Sequence, residues 1–509
     1  MPATLAPDTG PSVIPLRWST DAPRHIASFT IRVPDVEGAR SHRGVFVDSA
    51  GVKHEVTGSG GDIDLAPVWD ALATGHVRGN ATVEFEDGSS RNIGYGLRFV
   101  KGTDFAGWQP IDPATSYDEV IDAVYDVLTS HEHHGEHDPS LPPFVWHGVL
   151  EAERRELDSH AYPGLHYSFY LDFLRAYARA RPERAEEAIG YARLLIDTTN
   201  RFVTPDDYAW PRYPYSTISR GHMGGEFAEG DTIQPLKAAM WATGLLRFAE
   251  HEERPDAFET ALHIGRELAR HQLPSGGIGF RVDARTGEPQ KESDESTSLV
   301  FALELWRQLR DAGEAGFDEP IAAATRWLLE GPVADNQWIS DYDDVPSSLN
   351  DSTSKNYNNL DALATAQYLL SHTDEDPEHL ERARRILRWV EDGFVFWAVE
   401  SPVDFLSYPC PAVMEQCSHY YPIDFHLANF ALAQFAFYEH TGEEEHLAKA
   451  RACCAALTHY LSPEGLPLTY APDPDVGYGL KDHIWLGCAA WTGHVLLTEG
   501  ARSEEVAAR

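Results

Sequence analysis

Basic residues, lysine above all, are what this sequence has least of. Its 509 residues include seven lysines, and all 41 Lys and Arg stand against 80 Asp and Glu, a formal net charge of −39. Neutralising phosphates takes clustered Lys and Arg, so this balance excludes a nucleic-acid ligand. It also argues against an anionic membrane surface or a polyanionic substrate. Cysteine is scarce as well: five residues, an odd number, with no CxxC. That excludes a disulfide framework and predicts buried free thiols in a reducing compartment. No stretch reaches the roughly 18–20 apolar residues that a membrane span needs. The opening MPATLAPDTGPSVIP has neither the basic start nor the apolar run of a signal peptide. The expectation is a soluble, cytoplasmic protein with no membrane partner. HExxH, EF-hand loop, Walker A and GxSxG are missing, and no GxGxxG stands between a strand and a helix. No cofactor and no metal are therefore expected.

What is present is globular. Apolar residues make up 42%, aromatics 11% and charges 24%, which is ample for a core. Residues 1–105 read as β: Ile26–Val33, Gly44–Asp48, Ala81–Glu86 and Ile93–Val100 are short β-branched and aromatic runs between turn signals such as DSAG and EDGSS. Alternation at this spacing predicts a small antiparallel sandwich of the fibronectin or immunoglobulin type. A linker is expected over 106–115, followed by a helical domain over 116–509.

From Ser116 the period becomes helical and repeats. Twelve amphipathic segments begin near Tyr117, His166, Glu183, Thr232, Pro255, Asp294, Asp318, Tyr357, Pro377, Pro422, Glu443 and Asp482. Short connections alternate with long ones of roughly 20–30 residues, and short loops imply antiparallel neighbours. Strict alternation places every long loop at one end. The predicted architecture is mainly α: six helical hairpins closed into an (α/α)6 toroid, behind the small N-terminal β domain. Helices after long loops, such as DFHLANFALAQFAFY, are apolar nearly all round and read as an inner ring. Those after short loops, such as PEHLERARRILRWV, carry a polar stripe and read as an outer ring. Much of the acidic excess falls on the outer helices and short turns, which makes it a solvation feature.

The long-loop segments hold the chemistry-bearing residues, and function concentrates on loops carried by a rigid scaffold. Aromatic faces with Asn, Asp, Arg and His between them suit sugar rings, each of which has an apolar C–H face and a hydroxyl rim. Tyr167, Arg212, Tyr213, Tyr215, Arg220, His222, Tyr357, Asn358, His426, His483 and Trp485 are the candidate binding residues. The expected partner is a small-molecule or oligosaccharide substrate.

On the helix repeat and on the phrases HTGEEEHLAKARACCAAL, HQLPSGGIGFRVDARTGEP and VMEQCSHYYPID, residues 116–498 resemble the (α/α)-toroid carbohydrate-active enzymes. These are glycoside hydrolases, unsaturated glucuronyl hydrolases and polysaccharide lyases. The resemblance implies cleavage of a glycosidic bond, and no catalytic residue is inherited from it.

The catalytic candidates come from the residues themselves. Glu415, in VMEQCSHYYPID, is a carboxylate among aromatics; desolvation raises its pKa and suits it to act as general acid. Asp231, just before an apolar helix, or one of Asp343 and Asp344 in DYDD would activate water, and Asp231 also reads as a plain N-cap. An inverting pair stands about 6.5–9.5 Å apart. The alternative is β-elimination at a uronate, with His419 and Tyr421 as base and acid and Arg212, Arg220, Asn358 or Asn359 on the carboxylate. DYDD also resembles the D-x-D-D of class II terpene cyclases, whose chains are helical throughout. A non-catalytic toroid is the remaining reading. HEHHGEHD, at 131–138, offers close imidazoles but reads as a solvated loop.

Overall fold

The computed structural model describes residues 16–18, 29–31, 38–48, 50–60, 63–73, 75–92, 97–101, 105, 111–130, 149–151, 156–158, 160–219, 222–224, 231–252, 254–289, 295–336, 338, 358–397, 411–413, 415, 423–459, 461–462, 465–469 and 483–508. Contacts divide the chain into two units. The first comprises 1–112, 344–456 and 471–478; the second comprises 113–343, 457–470 and 479–509. No described helix is long and apolar enough to cross a membrane.

The N-terminal strand region is present. It holds β1 (Leu16–Trp18), β2 (Phe29–Ile31), β3 (Ala39–Val47), β4 (Lys53–Ser59), β5 (Ile63–Asp64), the single turn α1 (Ala66–Trp69), β6 (Gly75–Phe85), β7 (Ser90–Asn92) and β8 (Leu97–Lys101). One antiparallel sheet has the order β4-β3-β6-β7, with β8 also on β6; a second has the order β1-β2-β5. Phe46, Val56, Ile63, Leu65, Leu72, Val77, Ala81 and Val83 form the core between these elements. Four strands were not expected from the sequence. In β4, His54 and Val56 are buried while Lys53, Glu55 and Thr57 are exposed, so the alternation is real but half its inward face is a histidine. That His54 is paired with buried Asp48 at 2.8 Å, and Asp48 also accepts from Val52 N and Ala73 N. The bonds hold the Asp48 carboxyl below its usual value against the opposing effect of burial.

The expected twelve long helices are all found among the described residues. They are α2 (Tyr117–Thr129), α3 (His166–Ala180), α4 (Ala185–Thr199), α5 (Pro235–Glu252), α6 (Pro255–Arg270), α7 (Leu299–Asp311), α8 (Asp318–Glu330), and, after the short α9 (Pro332–Asp335), α10 (Leu360–Ser371), α11 (Glu378–Phe394), α12 (Asp424–Thr441), α13 (Glu444–Leu457) and α14 (Leu486–Ala508). Helix α2 starts where the pattern changes, because Ser116 and Glu119 make a reciprocal capping box. Helix α12 stops at Gly442, whose φ of +70° ends the helix in the TG turn. The helices after long connections start three to five residues later than periodicity suggests at α5, α7, α10 and α14. At α5 and α14 short strands take those residues: β14 (Thr232–Ile233) runs into α5 and β18 (His483–Trp485) into α14.

In the second unit, α3 lies against α4, α5 and α14; α5 against α6 and α7; α7 against α8; and α2 against α14. Helix α3 buries twelve of its fifteen residues, as an inner helix must. Helix α14 comes so near α3 that a Cβ on Gly493 would stand 2.6 Å from the Phe173 ring, so only glycine fits there. The outward residues are joined by exposed ion pairs such as Arg184–Asp126, Arg193–Glu252 and Arg254–Asp197, individually worth little.

In the first unit, α10 packs on α11 and α12. Lys449 of α13 has no exposed surface. Its ammonium is paired with Glu391, reaches Glu445 at 3.0 Å, and lies 5.5 Å from the Phe105 ring and 6.0 Å from Trp397. The Trp397 indole donates to the other Glu391 oxygen at 3.0 Å. Cys453 and Cys454 nearby, like Cys488 of the second unit, are buried and form no disulfide among the described residues. Burial pushes the Cys453 thiol well up, so it is chemically quiet. Lys449→Met removes one partner of a buried pair and takes the ammonium away from the Glu391 carboxylate. Denaturant unfolding is expected to show a loss of about 3–5 kcal/mol.

Candidate functional site

Each long connection delivers polar residues to the first turn of an apolar helix, and these turns are where the structure collects its candidate groups. In the second unit three short antiparallel sheets shape the long connections. β9 (Val149–Glu151) lies between β10 (Glu156–Asp158) and β18; β11 (His160–Ala161) pairs with β12 (Thr217–Ser219), which pairs with β13 (His222–Gly224); β14 pairs with β15 (Val282–Asp283). Main-chain bonds add to this: Ala284 N donates to Asp231 O at 2.8 Å, Ala209 N to Arg285 O, and Trp210 N to Ala284 O.

On this frame Asp231 is half-buried and accepts a hydrogen bond from Tyr208 Oη at 3.0 Å. It is not the cap of α5, which begins four residues later. Bonding to the Asp231 carboxylate raises the Tyr208 pKa, with burial adding to it. The Arg285 guanidinium lies 5.6 Å from the Tyr208 ring. Tyr215 is buried beside this pair; burial, then the charges of Tyr208 and Asp231, push its hydroxyl up to about 12. Tyr213 is wholly buried and donates to Pro235 O at 2.7 Å, so its hydroxyl secures the start of α5. Arg212 is exposed, at φ +49°, and serves the turn: its N–H donates to Thr204 O.

A second group surrounds the start of α3. Tyr167 is buried against Tyr170 and edge-on to Trp241, at 6.1 and 6.3 Å between centroids. Trp485 is half-buried; it stacks on Tyr162 at 5.7 Å and meets His166 edge-on at 5.8 Å. His166 is 5% exposed. Burial, with repulsion from the Lys237 ammonium, holds its pKa down at about 3, so the ring is neutral. Gly487 makes room for it, since a Cβ there would stand 2.5 Å from the His166 ring.

In the first unit the group is a polar network. β16 (Val395–Phe396) pairs with β17 (Ala412–Val413), and Ile423 N bonds Val413 O at 3.1 Å, which fixes the approach to α12. Asn359 Nδ2 donates to the Glu415 carbonyl at 3.1 Å, and Asn359 Oδ1 lies 2.6 Å from His426 Nδ1. The amide orientation that satisfies both bonds puts the proton on Nδ1 and leaves Nε2 the basic nitrogen. Burial holds His426 at about 3, so it too is neutral. Asn358 Oδ1 accepts from Asp361 N at 3.4 Å, while its Nδ2 has no partner among the described residues. Glu415 is 7% exposed, and Asp361 and Asp424 still less. A helix N-terminus favours a carboxylate in its first turn.

Of the candidates read from the sequence, the structure thus gathers Asp231 with Tyr215, Tyr167 and Trp485 with the α3 rings, and Glu415 and His426 through Asn359, with Asn358 bonded to Asp361 N at the start of α10. Tyr213 and Arg212 serve the backbone. Asp343, Asp344, His419, Tyr421, Arg220 and Tyr357 lie outside the described residues, as do the side chains of His222 and His483 and the segment 131–138. Sequence reasoning missed Tyr208, His166, Tyr162, Tyr170 and Trp241, and the buried acids Asp361 and Asp424. All but Tyr208, which lies well inside a long connection, share one signal: a polar or aromatic residue within two turns of the start of an apolar helix.

No protein-family model matches the sequence, and no curated relative does. Solved structures do match in fold. A family 76 glycoside hydrolase from a bovine Bacteroides thetaiotaomicron strain is similar over 96% of this chain and 98% of its own, at a TM-score of 0.53 and 10% identity. A D-mannose isomerase is similar over 77% of this chain and 100% of its own, at 0.55 and 10%. A cellobiose 2-epimerase from Spirochaeta thermophila is similar over 76% and 97%, at 0.52 and 12%. The chain is therefore similar in fold to the (α/α)-toroid carbohydrate-active enzymes.

The two neutral histidines have a thermodynamic signature. An unfolded histidine takes its proton near pH 6.5, whereas His166 and His426 stay neutral to about pH 3. Between these values the unfolded state binds more protons, so stability falls as pH falls from about 6.5 towards 3. The expected slope is roughly 1.4 kcal/mol per pH unit for each histidine. Urea titrations across that range are expected to show a shallower fall in His426→Gln than in the unchanged chain.

Proposed function

We propose that this chain is a carbohydrate-active enzyme that hydrolyses a glycosidic bond in a neutral oligosaccharide or glycoside. The observation that carries the reading is the Tyr208–Asp231 pair. A half-exposed carboxylate, fixed by a phenol and by two strands, can orient a water and take its proton, the task of the base in an inverting hydrolysis. The fold likeness supports the carbohydrate class, and the excess of 80 acids over 41 bases supports a substrate without negative charge.

A second reading rests on a different observation. His426 Nδ1 is fixed by Asn359, which makes Nε2 the acceptor nitrogen of the ring; burial lowers its pKa to about 3, so it takes a proton only where the substrate supplies a compensating negative charge. That suits proton transfer at a carbon next to a sugar carbonyl, as in isomerisation or epimerisation, and two of the similar structures are named for such reactions. The candidate base and acid for β-elimination at a uronate, His419 and Tyr421, lie outside the described residues.

One pair of assays separates the readings. Incubation with mannose- and glucose-containing di- and oligosaccharides in heavy water is expected to release new reducing ends. Asp231→Asn is expected to lower kcat by about 10²–10⁴-fold. Solvent deuterium at C2 of an aldose, without new reducing ends and lost in His426→Gln, would replace hydrolysis by isomerisation. Full turnover in Asp231→Asn would overturn the base assignment.

A further inference from the structure

Two long connections of the second unit are joined to Asp231 through one residue, Ala284. Its N–H donates to Asp231 O at 2.8 Å, and its carbonyl accepts from Trp210 N at 3.0 Å. Ala209 N donates to the next carbonyl, that of Arg285, at 3.1 Å. These bonds lay the segment 208–210 beside Asp231, and Tyr208 Oη reaches the carboxylate at 3.0 Å. They hold the segment from one side only. The placing of the phenol also depends on what holds the peptide after Tyr208 from the other side.

Helix α6 supplies that hold. Its C-cap residue, His271, lies flat on Trp210, with centroids 4.1 Å apart and planes 15° from parallel. His271 Nε2 is 3.0 Å from Ala209 O. A carbonyl only accepts, so Nε2 carries the proton. Burial is the largest influence on this ring and lowers its pKa, so near neutral pH it is the uncharged Nε2–H tautomer. Arg270 donates to the same carbonyl. Two turns earlier on α6, His263 Nε2 is 2.7 Å from Pro211 O. The place is also prepared by Gly287, at φ +80°: a Cβ there would stand 3.1 Å from Ala209 Cβ and 3.2 Å from His271 Cε1. Stacking on Trp210 needs only a flat ring. The bond to Ala209 O needs the nitrogen.

We propose that His271 is a positioning residue for the Tyr208–Asp231 pair. By holding the carbonyl of Ala209 it sets the preceding residue's phenol at hydrogen-bonding distance from the carboxylate. It does not touch the carboxylate and acts through Tyr208. The inference deepens the hydrolytic reading above and rests on it for the role of Asp231 as base.

The test uses the full chain labelled with ¹³C at tyrosine Cζ, the Tyr208 signal being identified by its loss in Tyr208→Phe. Asp231→Asn shows where that signal goes when the carboxylate is removed. His271→Phe keeps a ring on Trp210 and removes the donor. His271→Gln loses the ring and keeps a nitrogen donor near the place of Nε2. Thermal unfolding is the fold control. The Tyr208 signal is expected to move in His271→Phe towards its Asp231→Asn position and to move less in His271→Gln. A ring that serves only as packing predicts the reverse order. A shift in His271→Gln as large as in His271→Phe therefore overturns the proposal, as does an unmoved signal in folded His271→Phe. On a glycoside that the chain hydrolyses, His271→Phe is expected to lower kcat roughly 10–10²-fold with KM little changed. In a Tyr208→Phe background it is expected to add nothing, because its effect passes through that phenol. Losses that add in full overturn the proposal. The two levels of inference fail separately. The expected signal shifts in a chain that turns over no glycoside defeat the hydrolytic reading alone. Turnover that needs Asp231, with the Tyr208 signal unmoved in His271→Phe, defeats the positioning role alone.

Discussion

The constraint on which the rest depends is burial on every side of the helices that follow long loops. Helix α12 is buried without interruption from Asp424 to Phe430, and α3 over most of its length. Such a helix has no solvent-facing stripe, so its side cannot carry chemistry. Its first turn can, because unpaired backbone N–H groups and a positive dipole end already require polar partners there. His166, Gln234, Asn358, Asn359, Asp361, Asp424 and His426 are all buried polar residues at or just before such turns. Packing decides where polar groups can be placed, and the long connections supply them.

The helix count was legible because its signals are local. Periodicity, the Ser116–Glu119 box and the Gly442 stop act over a single turn. The four strands missed at the N-terminus show the limit. β4 puts His54 where an apolar residue is expected, and the histidine is acceptable there only because Asp48, six residues earlier, pairs with it. Period alone could not find a strand whose inward face is satisfied by a carboxylate.

The candidate groups were less legible than the helices. Asp231 was singled out as a carboxylate near a helix start, where capping competes with catalysis. Only the structure reveals Tyr208 as its donor, across 23 residues. Tyr213 read as a sugar-stacking aromatic, yet its hydroxyl is committed to Pro235 O. His166 was read only as the start of a helix, because its burial and the space provided by Gly487 are three-dimensional facts. Residue type is visible in a sequence; which polar atoms remain unpaired after packing is not.

The second unit is assembled from distant parts of the chain, and this bears on how it forms. β9, near residue 150, gains its second partner only from β18, near 484, and α14 returns to lie along α2 and α3. Residues 344–456, which belong to the first unit, intervene. During synthesis α2 and α3 must therefore wait, with apolar faces uncovered, while some 300 residues are made before α14 can cover them. Contacts of such separation are slow to form and leave the waiting faces open to wrong partners. The acidic excess on the outer helices then has a use before the native state exists: like-charged nascent chains repel one another for as long as the unit stays open.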